Sequence, residues 1–124
     1  MRTKGKHGDW TERHGPAANT QAIASKAAST AGLRHVCTAL SFTITNDGAA
    51  KTGVVTVNLR DGATGAGTIK KSWRFIVPAG DTRGLGLSDL NIPGTANTAM
   101  TLETSAAPGA SVTADMNLEG ITRL

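Results

Sequence analysis

The feature that most constrains this fold is the alternation of apolar and polar residues from about Leu33 onward. In the stretch "RHVCTALSFTIT" (34–45), the side chains of Val36, Leu40, Phe42 and Ile44 fall on one face of an extended chain. A period of two residues is typical of a half-buried β-strand. The same period returns in four later stretches: "VVTVNLRD" (54–61), "TIKKSWRFIVP" (68–78), "AMTLETSA" (99–106) and "SVTADMNLEGI" (111–121).

The alternation also predicts which side chains face the core and which face solvent. On the first strand, the solvent face is predicted to hold His35, Ala39, Ser41 and Thr43. The core-facing residues predicted for the later strands are Val55, Val57, Leu59, Ile69, Trp73, Phe75, Val77, Met100, Leu102, Thr104, Val112, Ala114, Met116 and Leu118. These apolar faces need a second sheet to cover them.

Turn residues such as Asp47-Gly48 and Pro93 separate the strands, and "LGLSDL" (85–90) supplies a further short one. Segment 20–28 is ambiguous, because its alanines suit a weak strand, an extended arm or a short helix. Short strands at regular spacing with turns between them are typical of sandwiches and barrels. The sequence therefore predicts an all-β fold, an antiparallel β-sandwich of jelly-roll-like form.

The composition indicates a thin core. The chain has 124 residues, of which only 3% are aromatic and none is tyrosine. A single domain of this size with few large side chains gains limited stability from its own interior. We therefore expect it to bury surface against copies of itself, as a homo-oligomer such as a dimer or trimer.

The first twenty residues differ from the rest, since "MRTKGKHGDWTERHGPAANT" is basic and has no apolar period. Residues 1–20 are predicted to form an extended basic arm, and residues 21–124 the sandwich domain. Basic arms bind acidic protein surfaces or nucleic acid. The residues of the arm predicted to contact a partner protein are Arg2, Lys4, Lys6, Trp10 and Arg13.

Trp10 is the most informative residue of the predicted arm. An indole on such a segment either stays in solvent or anchors in a pocket of another subunit. Aromatic side chains and arginine are enriched among interface anchors. The sequence favours the anchor, and removal of residues 1–18 is then expected to leave a folded domain that no longer holds its partner.

Catalytic and metal sites are not indicated. His7, His14 and His35 lack the spacing of a metal-binding motif. Cys37 and His35 share a strand face but have no third, orienting group. The glycine-rich "GATGAG" (62–67) precedes a strand rather than a helix, so it predicts a hairpin loop and not a phosphate site. We expect no enzyme, no cofactor and no metal.

The sequence also bears on membranes, nucleic acids and carbohydrates as partners. No stretch has the length or apolarity of a signal peptide or membrane span, so synthesis in the cytoplasm without membrane insertion is expected. The β-region has no basic platform interleaved with aromatics, which disfavours nucleic-acid recognition. A carbohydrate-binding module needs exposed aromatic platforms, and only Trp10 and Trp73 are available, the latter with core-facing parity.

The stretches "GLRHVCTALSFTI", "VNLRDGATGAGTI" and "LNIPGTANTAMTLE" occur in this order within residues 12–121. In this respect the chain resembles a widespread family of small phage and prophage virion structural proteins. The resemblance implies a capsid decoration (cement) protein on the virion surface, whose partner is the major capsid protein. It implies no catalytic residue, and it does not extend to residues before Glu12. The alternative is a tail-associated or receptor-binding β-domain that contacts a host glycan.

Overall fold

The computed structural model describes residues 9–15 and 18–124, and its regular structure there consists of β-strands. The strands are β1 (Asp9–His14), β2 (Ile23–Lys26), β3 (Arg34–Asn46), β4 (Val55–Asp61), β5 (Thr68–Phe75), β6 (Thr82–Leu87), β7 (Ile92–Pro93), β8 (Met100–Thr104) and β9 (Val112–Arg123). Segment 20–28, which the sequence left open, contains the short strand β2. Within the described residues no helix is long and apolar enough to span a membrane.

Two antiparallel sheets face each other. The first has the order β1-β9-β3-β6, with the short β7 also paired to β3, and the second has the order β2-β8-β4-β5. Leaving β7 aside, the pairs are nested along the chain: β1 with β9, β2 with β8, β3 with β6, and β4 with β5. Eight strands in two four-stranded sheets with this nesting form a jelly roll. The predicted all-β sandwich of jelly-roll form is confirmed.

The core lies between the sheets and follows the predicted alternation on β4, β8 and β9. The predicted core-facing residues of these strands are each at most 5% exposed: Val55, Val57, Leu59, Met100, Leu102, Thr104, Val112, Ala114, Met116 and Leu118. Leu40, Phe42 and Ile44 of β3 close the interior from the other sheet. Strand parity therefore decides most of the core.

A β-bulge in β3 reverses the parity that the sequence predicts for its first half. Cys37 pairs with Gly120 and Ala39 with Glu119, so Thr38 is an extra residue in the strand. A bulge of one residue turns the preceding side chains to the opposite face. His35 and Cys37 consequently point toward the interior, whereas Val36 is buried, at 1% exposure, on the opposite face and lies outside the main core cluster. The prediction that Val36 shares a face with Leu40, and that His35 faces solvent, is wrong.

A second bulge changes the face of Ile69 on β5. Leu59 pairs with Lys71 and Arg60 pairs with Ile69, which leaves Lys70 as the extra residue. Ile69 therefore shares a face with Arg60, and it is 46% exposed. The prediction that Ile69 faces the core is wrong for this reason.

The boundary predicted between arm and sandwich also differs from the structure. Asp9–His14 form β1, an edge strand that pairs with β9 in register Trp10 to Gly120. Residues 9–14 thus belong to the sandwich, because the edge of β9 offers unpaired backbone groups to any segment able to extend along it. Deleting residues 1–18 would remove a strand, contrary to the expected tolerance. Arg2, Lys4 and Lys6 lie outside the described residues.

Candidate interaction surface

Trp10 is packed inside its own sandwich. Its side chain is 9% exposed, and its ring makes an edge contact with His35 at a centroid distance of 5.5 Å. The ammonium of Lys26 lies 6.0 Å from the ring centroid. Gly120 on the paired strand lacks a side chain and leaves the space that the indole occupies. The prediction that Trp10 anchors in a neighbouring subunit is corrected, because a glycine slot in β9 holds the indole within the chain.

Arg13 is on the surface, as expected of a contact residue, but it has a partner in its own chain. Its guanidinium lies 3.4 Å from a carboxylate oxygen of Asp115 on β9, and its side chain is 64% exposed. An exposed pair of this kind contributes about 1 kcal/mol or less. Arg13 can therefore exchange Asp115 for another carboxylate. Of the five predicted contact residues, the structure describes Trp10 and Arg13, and the other three lie outside its described part.

The two sheets are closed along one side and open along the other. On the closed side β1 and β2 contact each other and bring the edges of the two sheets together. On the other side the edges are β5 and β6, which lack a comparable contact. The half-buried apolar side chains packed against the core there are Trp73, Phe75, Leu85 and Leu87. We call this strip, with the edges of β5 and β6, the open side.

Aromatic side chains from both sheets pack against each other beneath the open side. The ring of Phe42, from the first sheet, stacks on Phe75 at 5.9 Å and contacts Trp73 at 5.5 Å. These rings belong to opposite sheets, so they hold the sandwich together while leaving β5 half-covered. Strand alternation places Trp73 and Phe75 correctly, but no local signal in the sequence indicates that this side lacks a covering strand.

Strand β5 is the more exposed of the two edges of its sheet. Six of its eight residues are exposed, whereas β2 at the opposite edge has none. Among described residues, the exposed large apolar side chains are Val54, Ile69, Ile76 and Leu124. All but Leu124 lie on β5 or beside it. Exposed apolar residues concentrated at one edge are typical of an interaction surface.

A buried ion pair on the outer face of the second sheet has a structural role. Arg60 binds the carboxylate of Glu103, which is 1% exposed. The same carboxylate accepts hydrogen bonds from the backbone N–H of Gly65 at 3.1 Å and from Gln21 at 3.3 Å. These bonds fold the glycine-rich loop 62–67 over the sheet, which agrees with its prediction as a hairpin loop. Sequence reasoning missed the pair, because alternation marks Glu103 as exposed.

Two of the residues considered for chemistry, His35 and Cys37, are engaged in packing, and His7 lies outside the described residues. Both ring nitrogens of His35 are hydrogen-bonded, Nδ1 to Thr122 and Nε2 to the carbonyl of Ala27, each at 2.7 Å. Burial, with a smaller effect of the Glu119 carboxylate, raises the pKa of the Cys37 thiol to about 11. A thiol with such a pKa is a poor nucleophile near neutral pH. No cluster of three potential metal-ligating side chains occurs within the described ranges.

Comparisons with known proteins give similarity in structure only. Neither a protein-family model nor a curated protein matches the chain. A chain of a Nora virus structure is 15% identical with a TM-score of 0.38, and the match covers 94% of this chain but only 56% of that one. The disulfide-linked pili of Bacillus endospore appendages match at 17% identity and a TM-score of 0.38, covering 100% and 99%. Tobacco streak virus coat protein matches at 10% and 0.35, covering 85% and 88%.

These TM-scores are low, and the identities are those of unrelated sequences. The matches therefore carry no argument about what this chain does. What bears on function is its own strand pairing, its open side and the distribution of its charged and apolar surface residues.

Proposed function

We propose that the chain is a non-enzymatic structural protein of a phage particle, which decorates the head and stabilises it by bridging major capsid subunits. The observation that carries the proposal is the open side. There, among the described strands, β5 and β6 each have a partner on one side only, and a half-buried apolar strip lies between them. Such a surface is suited to assembly with another chain.

The physical gain from covering the open side favours an assembly role. Apolar surface contributes about 25 cal/mol for each Å² removed from water. Trp73 and Phe75 are only partly buried, so a neighbouring protein would complete the burial of two of the largest side chains in the chain. Placement of many copies on a lattice makes individually weak contacts effective together.

The strand pairing and the sequence resemblance support a virion location. Jelly rolls with nested strand pairs are one of the architectures that capsid proteins use, although lectins and cupins use it as well. The resemblance of three stretches to small phage and prophage structural proteins favours the virion among these classes. In this account the protein resides on the capsid surface, forms a dimer or trimer, and uses Arg2, Lys4, Lys6 and Arg13 as further contacts with acidic capsid groups.

The alternative is a tail-associated, glycan-binding domain, and the positions of the aromatic residues count against it. The chain has two Trp, two Phe and no Tyr. Trp10 and Phe42 are buried, while Trp73 and Phe75 lie on the inner face of β5, packed against the core. Stacking on a sugar ring needs an aromatic face directed to solvent. The head location is therefore the stronger proposal.

The test uses phage particles and purified protein with substitutions on exposed apolar residues. The double variant Ile69→Glu, Ile76→Glu alters the exposed edge at residues that are 46% and 43% exposed, so folding is preserved. Its co-sedimentation with particles should fall at least tenfold, because two carboxylates would be desolvated in the contact. The matched control Leu124→Glu, at a residue 79% exposed and away from β5, should bind as the unmodified protein does.

Equal binding by the double variant and the control would mean that the β5 edge does not contact the particle. Absence of any binding by the unmodified protein to intact heads, with binding to isolated tails, would replace the head location with the alternative.

A further inference from the structure

The β5 edge carries an excess of positive charge. Residues 62–80, which include β5 and both adjoining turns, contain Lys70, Lys71 and Arg74 and no acidic residue. All three side chains are exposed. In the described part of the chain, ion pairs are formed by Arg13, Arg60 and Arg83. None of these pairs includes Lys70, Lys71 or Arg74. The edge is therefore an uncompensated basic strip.

The same edge has unused backbone hydrogen-bonding groups. Among the described strands, β5 pairs with β4 and with none on its other side. In a strand paired on one side only, about half of the N–H and C=O groups point away from the sheet. Lysines commonly protect such edges from association of like chains, and they leave the edge open to a chain of opposite charge.

Apolar residues lie on the outer face beside this edge. Val54 precedes the start of β4 and Ile76 follows the end of β5, and with Arg74 and Phe75 they line a shallow depression. Arg74 lies on this outer face, whereas Trp73 and Phe75 lie on the inner face. An added strand that alternates acidic and apolar side chains would therefore place its acidic groups beside Arg74 on the outer face and its apolar groups beside Trp73 and Phe75 on the inner face.

We propose that β5 binds an acidic, extended segment of a partner protein as a fifth strand of the second sheet. Backbone pairing with β5 supplies affinity, and the cations select the acidic sequence. This inference rests on the proposed assembly role of the open side, and it names the chemistry of the partner segment. We expect β5 to bind such a segment in the isolated chain as well as on the particle.

Two other occupants are disfavoured by the same residues. Pairing of β5 with β5 of a second copy would bring the lysines and Arg74 of both strands together, and like charges across a strand pair are destabilising. A nucleic acid would satisfy the charges, but its phosphates would leave the backbone groups of β5 and the half-buried side chains of Trp73 and Phe75 without matching contacts.

The test measures binding of a defined peptide to the full chain. The probe is a blocked, fluorescein-labelled decapeptide of alternating glutamate and valine, followed by fluorescence anisotropy. The triple variant Lys70→Glu, Lys71→Glu, Arg74→Glu should lower its affinity about tenfold or more, because three favourable charge pairs become unfavourable. The matched control Arg83→Glu changes an exposed cation on the other open edge, β6, and should leave the affinity within about twofold.

Amide hydrogen exchange separates strand addition from simple charge attraction. With the glutamate–valine peptide bound, amides of β5 should gain protection, while those of β1 at the distant edge should not. The inference is overturned if the peptide does not bind, if the triple variant binds it equally, or if binding leaves β5 exchange unchanged. It is also overturned if a single-stranded oligothymidylate of similar length binds more tightly than the peptide and loses affinity in the triple variant.

The particle experiment and the peptide experiment fail independently. Loss of particle binding in the Ile69, Ile76 double variant together with no peptide binding would retain the assembly role and remove the acidic strand. Binding of the peptide without binding to particles would retain the acidic strand and remove the assembly role.

Discussion

At the scale of single residues, Gly120 determines whether the N-terminal strand can dock. A Cβ at this position would lie well inside van der Waals contact of the Trp10 ring and of the Val36 carbonyl. Backbone on one side and a buried ring on the other leave little room for relaxation. The glycine therefore specifies both the close approach of β3 and the position of the indole.

We predict that Gly120→Ala lowers the free energy of unfolding by about 3 kcal/mol, the upper part of the range for overpacking. Urea denaturation followed by tryptophan fluorescence measures it. Gly86→Ala is the matched control, because a Cβ on that strand glycine meets nothing within 4 Å. Equal stability of the two variants would contradict the packing described for Trp10.

Cys37 gives a pH-dependent prediction at the same scale. Its thiol has a pKa raised from 9.0 to about 11, chiefly by burial. Between these values the unfolded chain loses the proton while the folded chain keeps it, so the folded state is stabilised fully below about pH 9 and loses this stabilisation as the pH rises toward 11. We expect a decline of roughly 1–2 kcal/mol by about pH 10.5.

Denaturation of the unmodified protein and of Cys37→Ala at several alkaline pH values checks this decline. Because the chain has no other cysteine and no tyrosine, the difference between the two curves reports the thiol. A difference that does not change with pH would mean that the thiol is not protected by burial.

At the scale of strands, β1 decides where the domain begins. It pairs along its full length with β9 and places Trp10 in the core. We predict that deleting residues 1–14 lowers the free energy of unfolding by more than about 3 kcal/mol, since loss of a buried tryptophan side chain alone has an effect of that size. Deleting residues 1–8, which retains every strand that the structure describes, should have a much smaller effect.

Thermal and urea unfolding of the two truncated proteins measures the difference. If the shorter deletion is as destabilising as the longer one, or if the longer one is harmless, the assignment of β1 to the sandwich is incorrect.

Strand pairing also explains which parts of the fold could be predicted from the sequence. Alternation alone identifies β4, β8 and β9 and their inward faces, because those strands run without interruption. It fails at Thr38 and Lys70, since a bulge depends on pairing with a distant strand and has no local signature here. It misses β1 for a related reason: the pattern of Asp9–His14 is weak, and only the slot above Gly120 reveals where Trp10 belongs. The Arg60–Glu103 pair is likewise a product of the folded loop.

At the scale of the whole molecule, the nested strand pairs produce a sandwich that is closed at β1 and β2 and open at β5 and β6. The exposed apolar residues Val54, Ile69 and Ile76 and the uncompensated cations of β5 lie on the open side. In the proposed function, stability and recognition are separated, since the closed side holds the buried indole and the open side is the proposed contact with a partner. The proposed decoration of a phage head depends on this asymmetry.

Electron cryomicroscopy of purified phage particles tests the central claim most directly. The account predicts density for this jelly roll on the outer surface of the head, in a copy number proportional to that of the major capsid protein. It further predicts that the β5 and β6 edges contact a capsid subunit or a neighbouring copy. Density confined to a few copies on the tail, or head density in which β5 and β6 face solvent, would contradict it.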